Sequence, residues 1–199
     1  MNKLQGFYEL KYLGIPSVPW KIFSGNELLD PNMLWTIRVA VEFGEDISLP
    51  RAVGVTAEEA QLKGQQYLKE YGEKGLVIYY PYFIAIKSGI IEVKEKQVVI
   101  EAVKADLWNL TSKGCRDITI IHDINPPRTK YFGNPDFLKE HELQELLRYA
   151  ARVRINYKDY IFDRSSIMLE WSYAINTDAN KKPIGESYLV FYELRRLSF

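Results

Sequence analysis

Segments rich in β-branched and aromatic residues recur along the sequence, and they constrain the fold more than any other feature. One of them, "LWTIRVAVEF", alternates its side chains with period two, which predicts a half-buried strand with Arg38 on its more polar face. Further strands are predicted in "GLVIYYPYFIAIKSGIIEV", "QVVIEAV", "RDITIIHD", "IMLEWSYAIN" and "SYLVFYEL". Helical patterns are few. The sequence therefore predicts an α+β fold in which mixed or antiparallel sheets pack with a few helices.

Two helices are predicted from their end signals and periodicity. Thr56 and Glu59 form a capping-box pattern ahead of "AEEAQLKGQQYLKEYG", and Gly72 is a candidate residue for the helix end. Within "FLKEHELQELLRYAARVRINY" the apolar residues recur at helical spacing, and they are Leu143, Leu146, Leu147, Ala150 and Val153. A third, shorter helix is predicted through "VKADLWNLTSKG", ending at Gly114.

The segment "INPPRTKYFGNPD" is predicted to be the one long loop, because proline and glycine punctuate it. The chain is accordingly expected to form a single compact domain over residues 1–199, with two lobes at about 1–124 and 134–199 as the alternative organisation.

Composition excludes several classes of protein. The 26 basic and 26 acidic residues balance, so no global field recruits nucleic acid or an anionic membrane. The N-terminal segment does not resemble a signal peptide, and no apolar run is long enough to span a membrane. A single cysteine, Cys115, excludes an internal disulfide framework. We therefore expect a soluble cytoplasmic protein, whose oligomeric state the sequence does not indicate.

Glu170 is a candidate metal ligand because it interrupts the strand "IMLEWSYAIN". If this strand and "ESYLVFYELR" form a hairpin centred between Lys181 and Lys182, Glu170 faces Glu193. Two carboxylates at that position repel each other unless a cation lies between them, and Mg²⁺ is the natural candidate. The alternative is a shifted register that leaves Glu170 facing water.

Other polar residues carry weaker signals. Arg38 could clamp a phosphate or pair with a surface acid. The polar segment "GEDISLPRAVGV" matches no known phosphate-binding glycine pattern. His122 and His141 have no partner at metal-ligand spacing, and no catalytic histidine can be assigned to Cys115.

Five segments, in order, resemble the N-terminal nucleotide-binding domain of the phosphoenolpyruvate synthase and pyruvate phosphate dikinase family. The first two are "NKLQGFYELKYLGIPSVPW", which keeps the family spacing from Lys3 to "GIP", and "IRVAVEFGEDISLPRAVG", which matches at Arg38, Glu45, Asp46 and Gly54. Two serines of the second family motif are replaced by Val39 and Ala40.

The three later segments cover most of the remaining chain. "YYPYFIAIKSGIIEV" matches the family at Ala85, Ser88 and Gly89, and "VVIEAVKADLWNLTSKG" matches at Glu101, Ala102 and Gly114. The C-terminal strands match at Glu170, Trp171 and Arg195, with Glu193 in place of the family's glutamine.

The resemblance implies an ATP-grasp-type fold, with ATP and Mg²⁺ as cofactors. It places Lys3, Arg38 and Glu101 at the nucleotide, and Glu170 and Glu193 at the metal. Arg38 and Arg195 become the candidate catalytic residues, with Arg195 paired to a phosphate or to Glu193. The hairpin argument reaches the same acidic pair without the resemblance.

The departures from the family limit its implied activity. The nucleotide cover is shortened, and the phosphohistidine and pyruvate-binding domains do not follow in the sequence. The resemblance thus implies phosphotransfer, if any, to a small acceptor or to a partner protein that carries a phosphoacceptor. The alternative is a non-catalytic interaction or regulatory domain that keeps the fold without the site.

Overall fold

The computed structural model describes residues 3–41, 49–162 and 165–198. Ten strands and five helices are described. The helices are α1 (Lys3–Tyr12), α2 (Ala57–Tyr71), α3 (Trp108–Thr111), α4 (Glu140–Asn156) and α5 (Lys158–Ile161). The strands are β1 (Lys21–Ile22), β2 (Trp35–Val41), β3 (Arg51–Val55), β4 (Gly75–Pro81), β5 (Phe83–Val93), β6 (Gln97–Lys104), β7 (Ile118–Ile124), β8 (Pro127–Gly133), β9 (Ser166–Thr177) and β10 (Pro183–Leu197).

These elements form two sheets, with strand orders β1-β4-β2-β3 and β10-β9-β5-β6-β7-β8. The registers of β1 to β4 and of β5 to β8 are antiparallel. The predicted α+β class with antiparallel sheets and few helices is confirmed. No helix in the described ranges is both long and apolar enough to cross a membrane.

The chain divides into two compact units whose segments interleave. Unit 1 comprises Met1–Gly6, Val18–Ile84 and Ala174–Tyr188, and unit 2 comprises Phe7–Ser17, Ala85–Tyr173 and Leu189–Phe199. The four-stranded sheet belongs to unit 1, and most residues of the six-stranded sheet belong to unit 2. The predicted lobe boundary between residues 124 and 134 stays a prediction.

In unit 1, α2 packs on the four-stranded sheet. The capping box at its start is confirmed: the Thr56 hydroxyl accepts from Glu59 N at 3.2 Å, and Glu59 Oε2 accepts from Thr56 N at 3.1 Å. Gly64 lets the helix approach closely, because a Cβ there would overlap Phe23 and Ile37. The contact between α2 and the sheet completes a hydrophobic core around strand β2.

Strand β2 is buried on both faces rather than half-buried as predicted. Thr36 and Ala40, on the face expected to be polar, are buried, and Arg38 alone in the strand is half-buried. Helix α2 packs against the face that carries Ile37, since Gly64 of the helix lies close to that side chain. The period-two pattern of the sequence therefore underestimates how far the opposite face, with Thr36 and Ala40, is covered.

In unit 2, α4 covers one face of the six-stranded sheet. Its predicted apolar stripe is confirmed, with Leu143, Leu146, Ala150 and Val153 buried. Lys87 Nζ of β5 contacts Glu142 Oε2 of α4 at 2.6 Å, and the Tyr173 hydroxyl of β9 donates to Glu145 Oε2 at 2.9 Å. These contacts identify the helix-covered face, which we call the near face; the opposite face is the far face.

Three sequence expectations need correction. The predicted loop "INPPRTKYFGNPD" contains strand β8, which pairs with β7 from Ile118↔Gly133 to Ile124↔Pro127. The predicted polar segment after β2 contains strand β3. The third helix is only four residues long, because β6 continues to Lys104 and takes the start of the predicted helix.

The C-terminal hairpin is present, since β9 and β10 are neighbours in the sheet. Its turn differs from the expectation. The backbone hydrogen bond from Asp178 N to Lys182 O, 3.0 Å long, centres the turn on Asn180 rather than between Lys181 and Lys182. The Asp178 carboxylate fixes this turn by accepting from the amides of Asn180 and Lys182.

Candidate functional site

In unit 1, two arginines lie opposite each other on neighbouring strands. Arg38 of β2 is paired in register with Arg51 of β3, and antiparallel partners share one face of a sheet. Arg38 is half-buried, whereas Arg51 is exposed. Two guanidinium groups in this arrangement concentrate positive charge at one point of the sheet, which suits an anion.

The other predicted residues of unit 1 are only partly described. Lys3 is the first residue of α1 and is half-buried. The resemblance places the corresponding lysine in a turn, so its local structure differs here. Glu45 and Asp46, matched by the resemblance, lie outside the described residues.

In unit 2, the far face of the six-stranded sheet carries the predicted acidic residues. The Ser88 hydroxyl lies 2.8 Å from that of Ser172, and the Ser166 hydroxyl donates to Glu92 Oε1 at 2.8 Å. These two contacts run in opposite senses along β5 and β9, so the strands are antiparallel and Ile90 lies beside Glu170. On its other side, Ile90 is paired with Glu101 of β6.

Glu170 and Glu101 therefore lie in one row across three strands, separated by Ile90. With about 4.8 Å between strands, their Cα atoms are about 10 Å apart. Glu101 Oε1 is held by Arg116 Nη1 in a close ion pair. The row brings together Glu170, which the resemblance assigns to the metal, and Glu101, which it assigns to the nucleotide. The ion pair adds Arg116 to this group.

A cluster of hydroxyl groups lies next to Glu170. The Ser88 hydroxyl donates to Ala105 O at 2.6 Å, and Ser172 Oγ lies 3.3 Å from the Tyr192 hydroxyl. Burial raises the pKa of Tyr192; hydrogen bonding to Ser172 lowers it, and the negative charge of Glu170 raises it again. Tyr192 is therefore a neutral hydrogen-bond donor beside a carboxylate.

Glu193 and Arg195 are paired on β10, where Arg195 Nε forms a close ion pair with Glu193 Oε1. Residues two apart on a strand share one face, so the two side chains lie on the same side of the sheet. The next residue, Arg196, lies over the rings of Tyr157, which ends α4, and Tyr160 in α5.

Glu193 is only 6% exposed, and Phe191, two residues before it, packs against Tyr149 of α4 with ring centroids 5.5 Å apart. A turn centred on Asn180 pairs Glu170 with Val190 in regular register, rather than with Glu193. The opposition of Glu170 and Glu193 therefore stays a prediction.

The acidic pair fits a magnesium ion better than a transition metal. Within the described ranges, no group of three or more histidine, cysteine, aspartate or glutamate side chains could hold a metal. Mg²⁺ does not need such a group, because it takes one or two carboxylates and completes its octahedron with water and phosphate oxygens. Glu170 and Glu193, on the neighbouring strands β9 and β10, stay the predicted ligands for such an ion.

Comparisons with known proteins resolve the fold. No protein-family profile matches the chain, and no curated protein sequence matches it significantly. Several solved structures match the fold of the chain. The chain superposes on N5-carboxyaminoimidazole synthetase from Staphylococcus aureus with a TM-score of 0.56 and 12% identity, over 100% of this chain and 44% of that one.

Two further structures agree. The same synthetase complexed with ADP gives a TM-score of 0.51 at 13% identity, with the same coverage of 100% and 44%. D-alanyl-alanine synthetase A from Vibrio cholerae O1 gives 0.52 at 12% identity, over 98% of this chain and 54% of that one. The fold is of the ATP-grasp type.

The ATP-grasp fold confirms the coarser part of the resemblance stated from sequence, whereas the phosphoenolpyruvate synthase family itself is not shown. The chain spans about half the length of the structures it resembles. At this identity the likeness concerns the fold alone, and the assigned site residues stay predictions.

Neither Arg51 nor Arg116 is a candidate that the sequence indicates. Arg51 was missed because β3 was not predicted, and its pairing with Arg38 exists only in the sheet. Arg116, just before β7, reaches Glu101 on the neighbouring strand β6, a contact that no spacing in the sequence indicates. His122 Nδ1 lies 2.9 Å from the Thr129 hydroxyl of β8.

Proposed function

We propose that this ATP-grasp domain binds an adenine nucleotide together with Mg²⁺. The observation that carries the proposal is the cross-strand pair of Arg38 and Arg51. Like charges directly opposite each other destabilise an antiparallel sheet. A bound phosphate group would turn this repulsion into two favourable contacts, because guanidinium groups bind phosphate oxygens bidentately.

Phosphate binding would involve Lys3 as well as the two arginines. The resemblance assigns Lys3 and Arg38 to the phosphates, and Arg51 extends that set by its register. Arg38 has a fixed backbone position in the centre of a buried strand, so its guanidinium is better preorganised than one on a loop.

The metal would be held by Glu170 and Glu193. Bound Mg²⁺ offsets negative charge on phosphate oxygens and orients them. Arg195, paired with Glu193, would orient that carboxylate or contact a phosphate in its place. Glu101 would contact the nucleotide, with Arg116 holding its carboxylate in place.

The reaction is proposed at a coarser level. The sequence resemblance supports phosphotransfer to a small acceptor or a partner protein. The structural neighbours are a synthetase of carboxyaminoimidazole and a D-alanyl-alanine synthetase, which favours a ligase-type use of ATP. Both reactions begin with the same nucleotide site, so binding is the first property to test.

Isothermal titration of the full chain with ATP, with and without Mg²⁺, tests the proposal. We expect ATP to bind and Mg²⁺ to strengthen the binding. Arg38→Met and Glu170→Gln should each weaken it about tenfold or more, the loss of one charge-assisted contact. Lys63→Met, an exposed substitution on α2, is the matched control and should leave affinity unchanged.

The nucleotide proposal would be overturned if millimolar Mg-ATP produced no heat of binding and no rise in the unfolding temperature. A ligand present at 100 times its Kd adds about 2.7 kcal/mol to the free energy of unfolding. The alternative would then be a non-catalytic interaction or regulatory domain. Its specific support is that Val39 and Ala40, which replace two serines of the resembled family, are fully packed in the core of unit 1.

A further inference from the structure

Unit 2 contains a second candidate site, independent of the proposed nucleotide site. A cavity of about 350 Å³ opens where the end of α1, the junction of α4 and α5, and the end of β10 meet. This volume is at the lower end of the range of about 300–1,000 Å³ typical of small-molecule pockets. Its chemically distinctive lining residues are Glu9, Tyr12, Tyr157, Asp159, Tyr160 and Arg196.

The floor of the cavity holds a fixed carboxylate. The Tyr157 hydroxyl donates to Glu9 Oε2 at 2.6 Å, and the Tyr157 side chain is largely buried. Burial raises the pKa of Tyr157, as does its hydrogen bond to Glu9, so the phenol remains a donor and Glu9 remains the acceptor. A carboxylate offers about four acceptor positions, and Tyr157 uses one of them.

A fixed cation lies beside this carboxylate. The guanidinium carbon of Arg196 is 5.4 Å from the ring centroid of Tyr157 and 5.2 Å from that of Tyr160. Arg196 also hydrogen-bonds to the Tyr157 side chain, which lowers the pKa of that phenol. A guanidinium group carries five N–H donors, so donors remain for a further acceptor. The preferred acceptor for such a fork is a carboxylate.

A second acid and an exposed ring border the cavity. Asp159 is exposed, and so is Tyr12, at 83% of its surface. The lining therefore presents one cation and two carboxylates, together with aromatic surface. The two acids disfavour an anion alone, whereas a cation alone would leave the guanidinium of Arg196 without an acceptor from the ligand.

We propose that this cavity binds a small zwitterion of the free amino-acid type, with its carboxylate on Arg196 and its ammonium group on Glu9 and Asp159. The tyrosine rings would contact the apolar part of the ligand. Opposite charges held a few ångströms apart by one small molecule are the complement of this lining, and neither charge is then left unpaired on binding.

Calorimetric titration of the full chain with each of the common amino acids tests the proposal. We expect at least one to bind with a Kd below about 1 mM. Its N-acetyl derivative, which lacks the ammonium charge, and its carboxamide, which lacks the carboxylate, should each bind at least about tenfold more weakly.

Substitutions then assign the binding to the cavity. Arg196→Met and Asp159→Asn should each weaken it about tenfold. Arg148→Met is the matched control, because Arg148 also stacks on a tyrosine, with its guanidinium carbon 4.9 Å from the Tyr149 centroid, yet does not line the cavity. Circular dichroism and apo unfolding midpoints confirm that each variant folds.

Three results would overturn the inference: no amino acid binds at millimolar concentration, the N-acetyl or carboxamide derivative binds as well as the parent, or Asp159→Asn and Arg196→Met both bind normally. ATP titration of the same variants separates this site from the nucleotide site, since the two proposals fail independently.

Discussion

Gly89 lies directly beneath the indole ring of Trp171, on the near face of the six-stranded sheet. A Cβ built on Gly89 would be 2.5 Å from Trp171 Cζ2 and would also overlap the carbonyl oxygen of Glu101. Gly89→Ala should therefore destabilise the protein by about 3 kcal/mol, as overpacking of a fixed core does. Urea unfolding measures this change.

A double-mutant cycle separates the steric cause from a general loss of stability. If the indole is responsible, Trp171→Leu and Gly89→Ala together should cost less than the sum of the single substitutions. Simple additivity of the two would contradict the packing explanation.

Lys87 and Glu142 form a partly buried ion pair that fastens α4 to β5. Their side chains are 18% and 10% exposed, and Glu142 Oε2 also accepts from Lys139 N at the start of α4. Glu142→Gln should cost about 2 kcal/mol, because it leaves the Lys87 charge poorly compensated. In chemical denaturation, the further substitution Lys87→Met should recover part of that loss; no recovery would argue against a charge effect.

Arg51 should make the stability of the protein sensitive to multivalent anions. Phosphate or sulfate that occupies the Arg38 and Arg51 pair would raise the thermal unfolding midpoint more than sodium chloride of equal ionic strength. In Arg51→Gln this additional increase should disappear, while stability at low ionic strength stays equal or rises. An equal response of both proteins would show that the pair does not bind anions.

Tyr173 should link stability to alkaline pH. Burial raises its pKa above the ordinary value of 10, and the hydrogen bond to Glu145 raises it further. The unfolded chain therefore loses this proton at lower pH than the folded protein, so its contribution to stability is complete below about pH 10 and decreases as pH rises above it. Tyr173→Phe should flatten this decrease in unfolding experiments between pH 9 and pH 11, whereas Tyr8→Phe, at an exposed position, should not.

Glu27 should titrate below its ordinary value. Burial alone would raise its pKa, but hydrogen bonds from the Ser24 hydroxyl and from the amides of Ser24 and Gly25 lower it below 4.5. The order that these bonds give to residues 24–27 is present above the unfolded pKa and lost as pH falls through the folded one. NMR titration of the Glu27 carboxyl checks the direction, and a midpoint above 4.5 would contradict these hydrogen bonds.

The elements that sequence predicts best are those whose signals are local. The Thr56 and Glu59 capping box needs only four residues, and the stripe of Leu143, Leu146, Ala150 and Val153 needs only the helical period. Both are confirmed because the same residues that mark the helix also bind or pack within it. The antiparallel α+β class follows from many strand-like segments and few helices.

Features that depend on strand order were not predictable. The burial of Thr36 and Ala40 in β2 depends on what packs against that face, and β3 and β8 are not predicted because their sequences contain glycine, proline and charge. Arg38 and Arg51 lie opposite each other because of the register of β2 and β3, which a single sequence does not specify. The positions of both arginines are thus determined by backbone hydrogen bonds between strands rather than by sequence periodicity.

Strand β8 ends the six-stranded sheet and has nearly all its residues exposed, including Tyr131 and Phe132. An edge strand of this kind can pair its backbone groups with another extended chain, and Arg128 and Lys130 place positive charge on it, which Asp123 partly offsets at Lys130. Repulsion between two such edges weakens as salt shortens the Debye length. Concentrated salt should therefore favour self-association through this strand.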